Sequence, residues 1–191
     1  MGVIVGADGM PRCSWSAEPA IYREYHDQEW GRPVVGEAAH LERLTLEAFQ
    51  SGLSWLTILR KRPGFREAFA GFDAETVAAY DLADVERLMA DPEIVRNRRK
   101  IEATVTNARA TVALREDGGL AAFIEHYRPD PEQASIGSRE PRSTSPESIA
   151  LSKALKKRGF AFVGPTTMYA LMQALGVVDD HDPDCHVRGA S

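Results

Sequence analysis

Cysteine is scarce in this chain of 191 residues, which has two: Cys13 near one end and Cys185 near the other. Two cysteines cannot supply the several disulfides that stabilise small secreted proteins. Apolar runs are short as well, since none approaches the ~20 residues that a membrane-spanning helix needs. The first residues also lack the basic start and the long apolar stretch of a secretory signal. We therefore expect a cytoplasmic protein.

A net positive charge is missing too, because the formal net charge at pH 7 is −5. The charge of the whole chain therefore gives no indication of a nucleic-acid partner, which only local basic clusters could provide. Apolar residues make up 43% and charged residues 27% of the chain. This is an ordinary globular composition that argues against disorder, and the length suits one domain with or without a small appendage.

Strand-like alternation nowhere persists for more than a few residues, so the chain is predicted to be all-α. Apolar residues recur with the three-and-four spacing of helices along residues 41–59, 94–112 and 120–127. Pro63 is predicted to end the first of these segments. Residues 128–146 are rich in proline, serine, glycine and charge, which predicts an exposed connector.

A pair of helices joined by a short hairpin is predicted at about residues 149–176. Ser145 and Pro146 suit the N-cap and the first turn of its first helix. Gly159 and Gly164 stand at the two ends of the hairpin, where glycine permits positive-φ turns and a close approach of the backbone to a ligand. This arrangement predicts a helix-hairpin-helix.

The hairpin region also carries groups that suit the phosphates of DNA. Lys156, Lys157 and Arg158 precede the hairpin, and the second helix begins near Thr166, where free N–H groups can bind an anion. Such contacts position a protein on DNA without reading its sequence. A hairpin packed only for stability, with its lysines as a solvated face, would have the same pattern. A second basic cluster lies at residues 96–100.

Four potential metal ligands lie at the two ends of the chain: Cys13 and His26, then His181 and Cys185. Thiolate and imidazole are the usual ligands of structural zinc, and two of each complete a tetrahedral shell without an open position. Such a zinc would stabilise the fold rather than catalyse a reaction. His186 is a rival to His181 that spacing does not exclude. Two ordinary thiols with surface histidines would also explain the pattern.

Aromatic residues crowd the N-terminal segment around one carboxylate. The rings belong to Trp15, Tyr22, Tyr25 and Trp30, and Trp55 follows the helix that contains Glu47. Stacked rings attract positive charge, and a glutamate accepts hydrogen bonds from an exocyclic N–H, so the set suits a flat cationic base. Core aromatics and a surface glutamate would give the same residues.

Five blocks of the sequence carry a resemblance to a known family: PRCSW at 11–15, YHDQEWG at 25–31, GLSW at 52–55, LSKALKKRGF at 151–160 and FVG at 162–164. They resemble the bacterial 3-methyladenine DNA glycosylase I family, and the similarity runs from about residue 11 to residue 185. Departures are confined to the residues before 11, the connector 133–142 and the tail after 185. We therefore interpret residues 1–10 as an N-terminal extension and 11–191 as a single glycosylase domain.

The resemblance implies an all-α helix-hairpin-helix DNA glycosylase fold in which one structural Zn²⁺ clamps residues 13–26 to 181–185. It assigns the zinc ligands to Cys13, His26, His181 and Cys185. It assigns the base pocket to Glu47, with Tyr25 and Trp55 as stacking rings and Trp15, Tyr22 and Trp30 as further wall.

The reaction that the resemblance implies is hydrolysis of the N-glycosidic bond of 3-methyladenine in double-stranded DNA, which leaves an abasic site. N3-alkylation makes the base cationic, so the base departs as a neutral molecule. The protein then mainly has to extrude the nucleotide and hold its base. No obvious lysine nucleophile lies in the hairpin, and a monofunctional enzyme is expected, although Lys100 and Lys157 stay open as nucleophiles. No membrane and no obligate protein partner is indicated.

Two roles within this scheme are hypotheses from the residues themselves. Gly52 and Leu53 are predicted to reach into the duplex, where Leu53 would fill the space of the extruded nucleotide; a plain core leucine fits as well. Glu47 is predicted to recognise the damaged base rather than to activate water as an indispensable general base.

Two other functional classes share part of this pattern. A non-catalytic, zinc-stabilised helix-hairpin-helix DNA-binding module would keep the hairpin and the metal ligands, but it would not need Glu47 together with Tyr25 and Trp55. A zinc hydrolase such as a deaminase needs an open metal position, with His-x-Glu and Pro-Cys-x-x-Cys motifs. The sequence has a His-x-Glu triplet, His40-Leu41-Glu42, but no Pro-Cys-x-x-Cys motif to complete such a site.

Overall fold

The computed structural model describes residues 2–130 and 142–189. Residues 131–141, which belong to the predicted connector, lie outside the described residues. The described part is mainly helical, which confirms the predicted all-α class. Its α-helices are α1 Ala20–Gln28, α2 Glu37–Gln50, α3 Trp55–Ala68, α4 Ala74–Ala78, α5 Leu82–Ala90, α6 Arg98–Leu114, α7 Gly119–Glu125, α8 Pro146–Lys157 and α9 Pro165–Ala174. Within the described ranges, no helix is both long and apolar enough to cross a bilayer.

Two short strands near the N-terminus depart from the purely helical pattern. Strand β1 (Val3–Val5) pairs antiparallel with strand β2 (Pro11–Cys13), with Val3 opposite Cys13. The pairing was missed because three residues are too few to show an alternating pattern. Residues 1–10, interpreted as an extension, thus include a strand that folds back on the segment carrying Cys13.

Helix α2 runs through the middle of the core. Leu41, Leu44, Leu46 and Phe49 on it are fully buried, and α2 packs against α3, α6, α7 and α9. Residues 43–49 of α2 are all buried, whether polar or apolar, because other elements surround this part of the helix. Any polar residue within its buried stretch is therefore carried into the interior, and Glu47 is such a residue.

Helix α3 continues past Pro63, so the prediction that this proline ends the helix is wrong. Proline removes one backbone hydrogen bond and costs about 3 kcal/mol in a helix interior. The turn after it buries Phe65 and Ala68, and the Phe65 ring packs against that of Phe49 with centroids 4.7 Å apart. Burial of a large apolar side chain contributes about 1.5–3 kcal/mol, and the packing of this turn offsets the lost bond.

The predicted start of the C-terminal helix pair is confirmed. Ser145 is the N-cap of α8, and its Oγ accepts a hydrogen bond from the Ser148 N–H at 3.1 Å. The Ser148 Oγ accepts one from the Ser145 N–H at 2.9 Å, which completes a reciprocal cap. Pro146 occupies the first turn, and α8 packs against α9.

Candidate active site

A cleft of about 290 Å³ opens beside the buried part of α2. Glu47 lies at this cleft and is 6% exposed. Gln50 lies one turn further along the same helix and also faces the cleft. The lining residues are Trp15, Tyr25, Trp30, Glu47, Gln50, Trp55, Arg142, Ala170 and Gln173. The structure thus brings together the carboxylate and four of the five aromatic residues that the sequence indicates.

The aromatic residues form one continuous wall. The ring centroids of Tyr25 and Trp55 are 5.3 Å apart at an interplanar angle of 50°, and those of Trp15 and Trp30 are 5.1 Å apart, edge to face. Tyr22 does not line the cleft but packs edge-on against Trp15 at 5.9 Å. Tyr22 therefore supports the wall from behind, whereas the other four rings face the cleft.

Charged side chains pack against Tyr25 and hold it in place. The Arg43 guanidinium lies over its ring, 5.5 Å from the centroid. Arg43 donates to Glu29 at 2.7 Å, and Arg62 donates to both oxygens of the same carboxylate. Burial and the nearby Glu47 raise the pKa of the Tyr25 hydroxyl well above its usual value. Tyr25 therefore stays neutral and keeps its proton for donation.

The Glu47 carboxyl has little to stabilise a negative charge. Burial raises its pKa to about 8, and the Arg43 charge opposes this rise only in part. Near neutral pH the carboxyl is therefore mostly protonated in the empty cleft. A cationic group brought beside it would favour ionisation and would gain a charged partner. This is the electrostatic behaviour expected of a site for a positively charged planar ligand.

A cluster of potential metal ligands adjoins the aromatic wall. The ligand atoms of Cys13, His26 and Cys185 all lie within 4.8 Å of one another, and all three residues are buried. The Cys185 Sγ is 3.4 Å from His26 Nε2. Burial and the neighbouring Cys185 raise the pKa of the Cys13 thiol to about 12, and burial lowers the pKa of His26. Two thiols and a neutral imidazole are a donor set that suits zinc.

His181 lies next to this cluster, whereas His186 has a different partner. The His181 ring lies 5.2 Å from that of His26, and its buried Nε2 has no hydrogen-bond partner. Its Nδ1 is held 2.8 Å from an oxygen of Asp179. His186 instead directs its Nε2 to Asp27, at 3.2 Å from Oδ1. A buried ring nitrogen without a partner, on a ring that packs against His26, suits a further metal ligand.

Two carboxylates orient the histidines. Asp27 Oδ1 lies 2.8 Å from His26 Nδ1, as Asp179 does from His181. Burial alone would raise the pKa of Asp27, but hydrogen bonds from Arg12 and His26 lower it to about 2. A charged carboxylate that accepts a hydrogen bond from one ring nitrogen keeps the proton on that nitrogen. The other ring nitrogen then has a free lone pair for a metal. The sequence pattern does not reveal these partners.

Gly31 provides the space that His181 occupies. A Cβ atom at this position would lie 2.5 Å from His181 Cε1, and the φ of Gly31 is +78°. Any other residue would displace the His181 ring from its place beside His26. The glycine at the end of the YHDQEWG block thus has a physical reason in the close packing of His181.

The loop between α2 and α3, residues 51–54, brings two further predicted residues to the surface. Gly52 is exposed, and Leu53 is 41% exposed. The alternative of a plain core leucine is therefore wrong. The Ser54 side chain accepts from the Thr57 N–H at 3.2 Å and caps α3 directly after the loop.

Lys100 is buried beneath this loop, although it belongs to the basic cluster at 96–100. Its Nζ donates to the backbone carbonyls of Phe49 at 2.8 Å and Ser51 at 2.6 Å. A cation on the last carbonyls of α2 stabilises the end of that helix. Lys100 is therefore not part of a surface patch, and its amine is engaged in holding the loop.

The connection between α8 and α9 has a different conformation from the one predicted. Gly159 has a positive φ of +88° as expected, but Gly164 has φ −64°. The second positive φ, +56°, belongs to Phe162. The side-chain amide of Asn107 on α6 bonds both the N–H and the carbonyl of Ala161, at 2.8 and 3.1 Å. A tertiary contact thus supports the turn that a glycine was expected to make.

The basic residues at this turn differ in how free their charges are. Lys156 and Lys157 are exposed at the end of α8, and Thr166 is exposed in the first turn of α9. Arg158 forms an ion pair with Asp117 and lies over the ring of Phe123. The two lysines therefore present the charge at this surface, while Asp117 partly neutralises that of Arg158.

The sequence reasoning missed several residues of this region. Gln50 follows Glu47 at helical spacing, which could have indicated that both face the cleft. Gln173 and Lys100 carry no such signal, because each comes from a helix distant in the chain. Asn107 likewise lies in an apolar stripe of α6 where nothing indicates a contact with residues 159–164.

Comparisons with known proteins agree on one family. The family model described as methyladenine glycosylase matches residues 15–188. The chain is 46% identical over 181 residues to DNA-3-methyladenine glycosylase 1 of Escherichia coli (strain K12), covering 92% of this chain and 96% of that protein. It is 43% identical over 182 residues to the DNA-3-methyladenine glycosylase of Haemophilus influenzae, covering 91% and 96%. A solved structure of 3-methyladenine DNA glycosylase I from Staphylococcus aureus, concerned with 3-methyladenine recognition, has a TM-score of 0.86 at 34% identity, covering 93% and 96%.

Proposed function

This chain belongs to the methyladenine glycosylase family, and from that premise we propose how its residues bind the base. The protein is a DNA-3-methyladenine glycosylase, a DNA repair enzyme that excises alkylated adenine. The observation that carries the proposal is the buried carboxyl of Glu47 in a cleft walled by aromatic rings. A non-catalytic DNA-binding module, the alternative from the sequence, would have no use for this cleft.

The base selection that we propose has two parts. The rings of Tyr25, Trp55 and their neighbours present π-faces that attract a cationic, flat base. Glu47 becomes ionised beside that cation and accepts a hydrogen bond from its exocyclic N–H. Undamaged adenine has the same amine but no charge, so it would leave Glu47 either protonated or as an unpaired buried charge. Excision then follows from holding the cationic base, which leaves as a neutral molecule.

Release of bases from methylated DNA tests this function directly. Duplex DNA treated with a methylating agent is incubated with the protein, and the free bases are identified by chromatography and mass spectrometry. We expect 3-methyladenine among the products and an abasic site without strand cleavage, because Lys100 is engaged with two carbonyls. Cleaved strands carrying a trapped lysine adduct would contradict the monofunctional assignment.

We propose that Cys13, His26, His181 and Cys185 hold one structural zinc. The support is the buried cluster of Cys13, His26 and Cys185, together with the unpartnered Nε2 of His181, whose ring lies 5.2 Å from that of His26. When bound, zinc would stabilise both thiolates and link the N-terminal to the C-terminal segment. Four protein ligands leave no open position, so the residues of the cleft perform the base recognition without the metal.

We further propose that α8, α9 and their connection bind DNA through its phosphates as a helix-hairpin-helix. The exposed Lys156 and Lys157 and the start of α9 at Thr166 support this assignment. The partner is duplex DNA containing alkylated bases. A cytoplasmic location and a single glycosylase domain over 11–191 stay predictions.

Reversing the charge of both lysines, Lys156→Glu with Lys157→Glu, should weaken binding to any duplex. Each lost phosphate contact reduces the slope of log K against log salt by about 0.9, so the double variant should bind with a slope smaller by about two. Fluorescence anisotropy with undamaged duplex at several salt concentrations measures this slope.

The matched control reverses two arginines elsewhere, Arg66→Glu with Arg87→Glu on α3 and α5, and so changes the net charge equally. Both arginines are ion-paired to carboxylates of this chain. A slope that stays unchanged in the lysine variant, or falls equally in the control, would mean that the lysines are only a solvated face.

Leu53→Ala should reduce excision from duplex DNA about ten-fold and leave the fold intact. The exposed side chain is proposed to fill the space of the extruded nucleotide, and truncating an exposed residue usually changes stability by less than about 0.5 kcal/mol. Single-turnover excision and thermal unfolding check the two halves of the prediction. Leu82→Ala is the control, since Leu82 is 69% exposed on α5. Equal excision by both variants would rule out the proposed role of Leu53.

A further inference from the structure

Gln173 on α9 lines the same cleft as Glu47, and a hydrogen bond on the far side determines how its amide is turned. Its Nε2 donates to Asp180 Oδ2 at 2.8 Å. The hydroxyl of Tyr169, one turn earlier on α9 and buried, donates to the same oxygen at 2.6 Å. Asp180 therefore has two donors, one of which belongs to the wall of the cleft.

The chemistry of Asp180 leaves one orientation for the Gln173 amide. The Oδ2 atom of Asp180 accepts the hydrogen bond of the Tyr169 hydroxyl and stands equally close to the Gln173 amide, so it is the acceptor in both contacts. The amide group that faces it must therefore be the NH2, and the carbonyl Oε1 is the end left for the cleft. Without Asp180, the two ends of the amide could exchange, because they have nearly the same shape.

We propose that Gln173, turned by Asp180, makes the enzyme select 6-amino purines over 6-oxo purines. The inference rests on the proposed function of the cleft. With Oε1 toward the base, Gln173 adds a second acceptor to the one that Glu47 provides. An exocyclic amine at position 6 of the base donates to such acceptors. A carbonyl at position 6 is itself an acceptor, so it would face them without forming a hydrogen bond. Asp180 acts through Gln173 and is a positioning residue.

Charge alone cannot make this distinction. Methylation at N3 gives both adenine and guanine in DNA a positive charge, so the aromatic wall and Glu47 attract either base. The two bases differ at position 6 in the direction of the hydrogen bond. Sites that hydrogen-bond a particular substrate group reject analogues lacking it, because the buried polar groups of the site are then unpaired. Gln173 supplies such a group from an element other than α2.

The test measures release of 3-methyladenine and 3-methylguanine from the same methylated duplex. Gln173→Met keeps the length of the side chain and removes the acceptor. We expect release of 3-methyladenine to fall about ten-fold with little change for 3-methylguanine, so that the ratio of the two rates falls about ten-fold. Asp180→Asn should lower the ratio in the same direction, because asparagine lets the Gln173 amide turn. The ratio in the double variant, Asp180→Asn with Gln173→Met, should be no lower than in Gln173→Met alone.

Two controls separate this role from a structural one. Tyr169→Phe removes the other donor to Asp180 and leaves the contact with Gln173, so the ratio should stay at its wild-type value. Asp180 lies beside His181, so each variant is also measured for bound zinc and melting temperature. For Gln173→Met we expect a changed ratio together with an unchanged zinc content. This variant therefore tests the inference even if Asp180→Asn loses zinc.

An active wild type with an unchanged ratio in Gln173→Met would overturn the inference. Additive effects of Asp180→Asn and Gln173→Met on the ratio would overturn the positioning role of Asp180. A wild type that released neither base would overturn the proposed function itself, and the inference with it. These outcomes are distinguishable because the first two require measurable release of 3-methyladenine.

Discussion

Replacing Cys13 by alanine is expected to lower the zinc content and the stability of the protein together. The thiol is buried within 4.8 Å of the ligand atoms of His26 and Cys185, and its loss would leave the proposed four-ligand shell incomplete. Structural zinc contributes about 10–16 kcal/mol of binding free energy in small zinc domains, whereas a whole domain is stable by about 5–15 kcal/mol. A loss of about 3–5 kcal/mol is thus a modest share of the metal's contribution. It would lower the melting temperature by about 6–20 °C, at about 2–4 °C per kcal/mol for this size.

Elemental analysis and thermal unfolding, each with and without a chelator, measure this effect. The wild type should hold about one zinc per chain and lose stability when the chelator is added. His186→Ala is the matched control, because His186 directs its nitrogen to Asp27 instead of the thiols, and it should keep its zinc. Full metal occupancy in the Cys13→Ala variant would exclude the four-ligand assignment.

Glu47→Gln is expected to excise 3-methyladenine about ten- to over a hundred-fold more slowly and still measurably. The variant loses the negative charge beside the cationic base, and one charged hydrogen bond contributes roughly 1.5–3 kcal/mol. Binding of the free base should weaken by a similar factor. Single-turnover excision and calorimetric titration measure the two quantities. Glu24→Gln on the exposed face of α1 is the control and should behave as the wild type.

The two functional roles of Glu47 give different results in this experiment. If it recognises the base, binding and excision fall together. A variant that bound 3-methyladenine normally and excised nothing would show that Glu47 acts in the chemical step, for instance on the attacking water. The proposed division of labour between Glu47 and the cationic leaving group would then be wrong.

The raised pKa of Glu47 also predicts how stability depends on pH. Between about 4.5 and 8 the folded protein keeps a proton on Glu47 that the unfolded chain has released. Stability falls with pH wherever the folded state binds more protons, so this group's contribution should decline as pH rises through that window. Glu47→Gln cannot titrate, and its melting temperature should be less dependent on pH, with the largest gain over the wild type near pH 8. Melting curves from pH 5 to 9 in both proteins measure the difference.

Part of the candidate site was predictable from the sequence. A carboxylate among aromatic rings suits a flat cationic base, but core aromatics with a surface glutamate give the same residue types, so it is the family resemblance that singles out Glu47, Tyr25 and Trp55. Ser145 was recognised as a cap because a cap bonds the backbone three residues further along, within reach of a local pattern. Features that depend on three or four neighbouring residues are visible in a sequence, since the chain itself brings them together.

Other features were decided only where distant elements pack together. Pro63 stays inside α3 because the turn after it is buried against Phe49 on α2. Lys100 is buried, unlike the other basic residues at 96–100, because α6 packs against α2 and the carbonyls at the end of α2 accept hydrogen bonds from its amine. Phe162 has a positive φ in a turn that Asn107 supports from another helix.

The sequence by itself determined the helical class, the residues that carry the chemistry and the ends of α8. The tertiary structure decided that the His181 ring packs against His26 while His186 contacts Asp27, that Leu53 is exposed, and that the Gln173 amide donates to Asp180. Local patterns depend on contacts between residues a few positions apart, and the spacing of residue types along the chain reveals these contacts. The direction in which a side chain points across the interior depends on which elements pack against it, and no spacing along the chain records that.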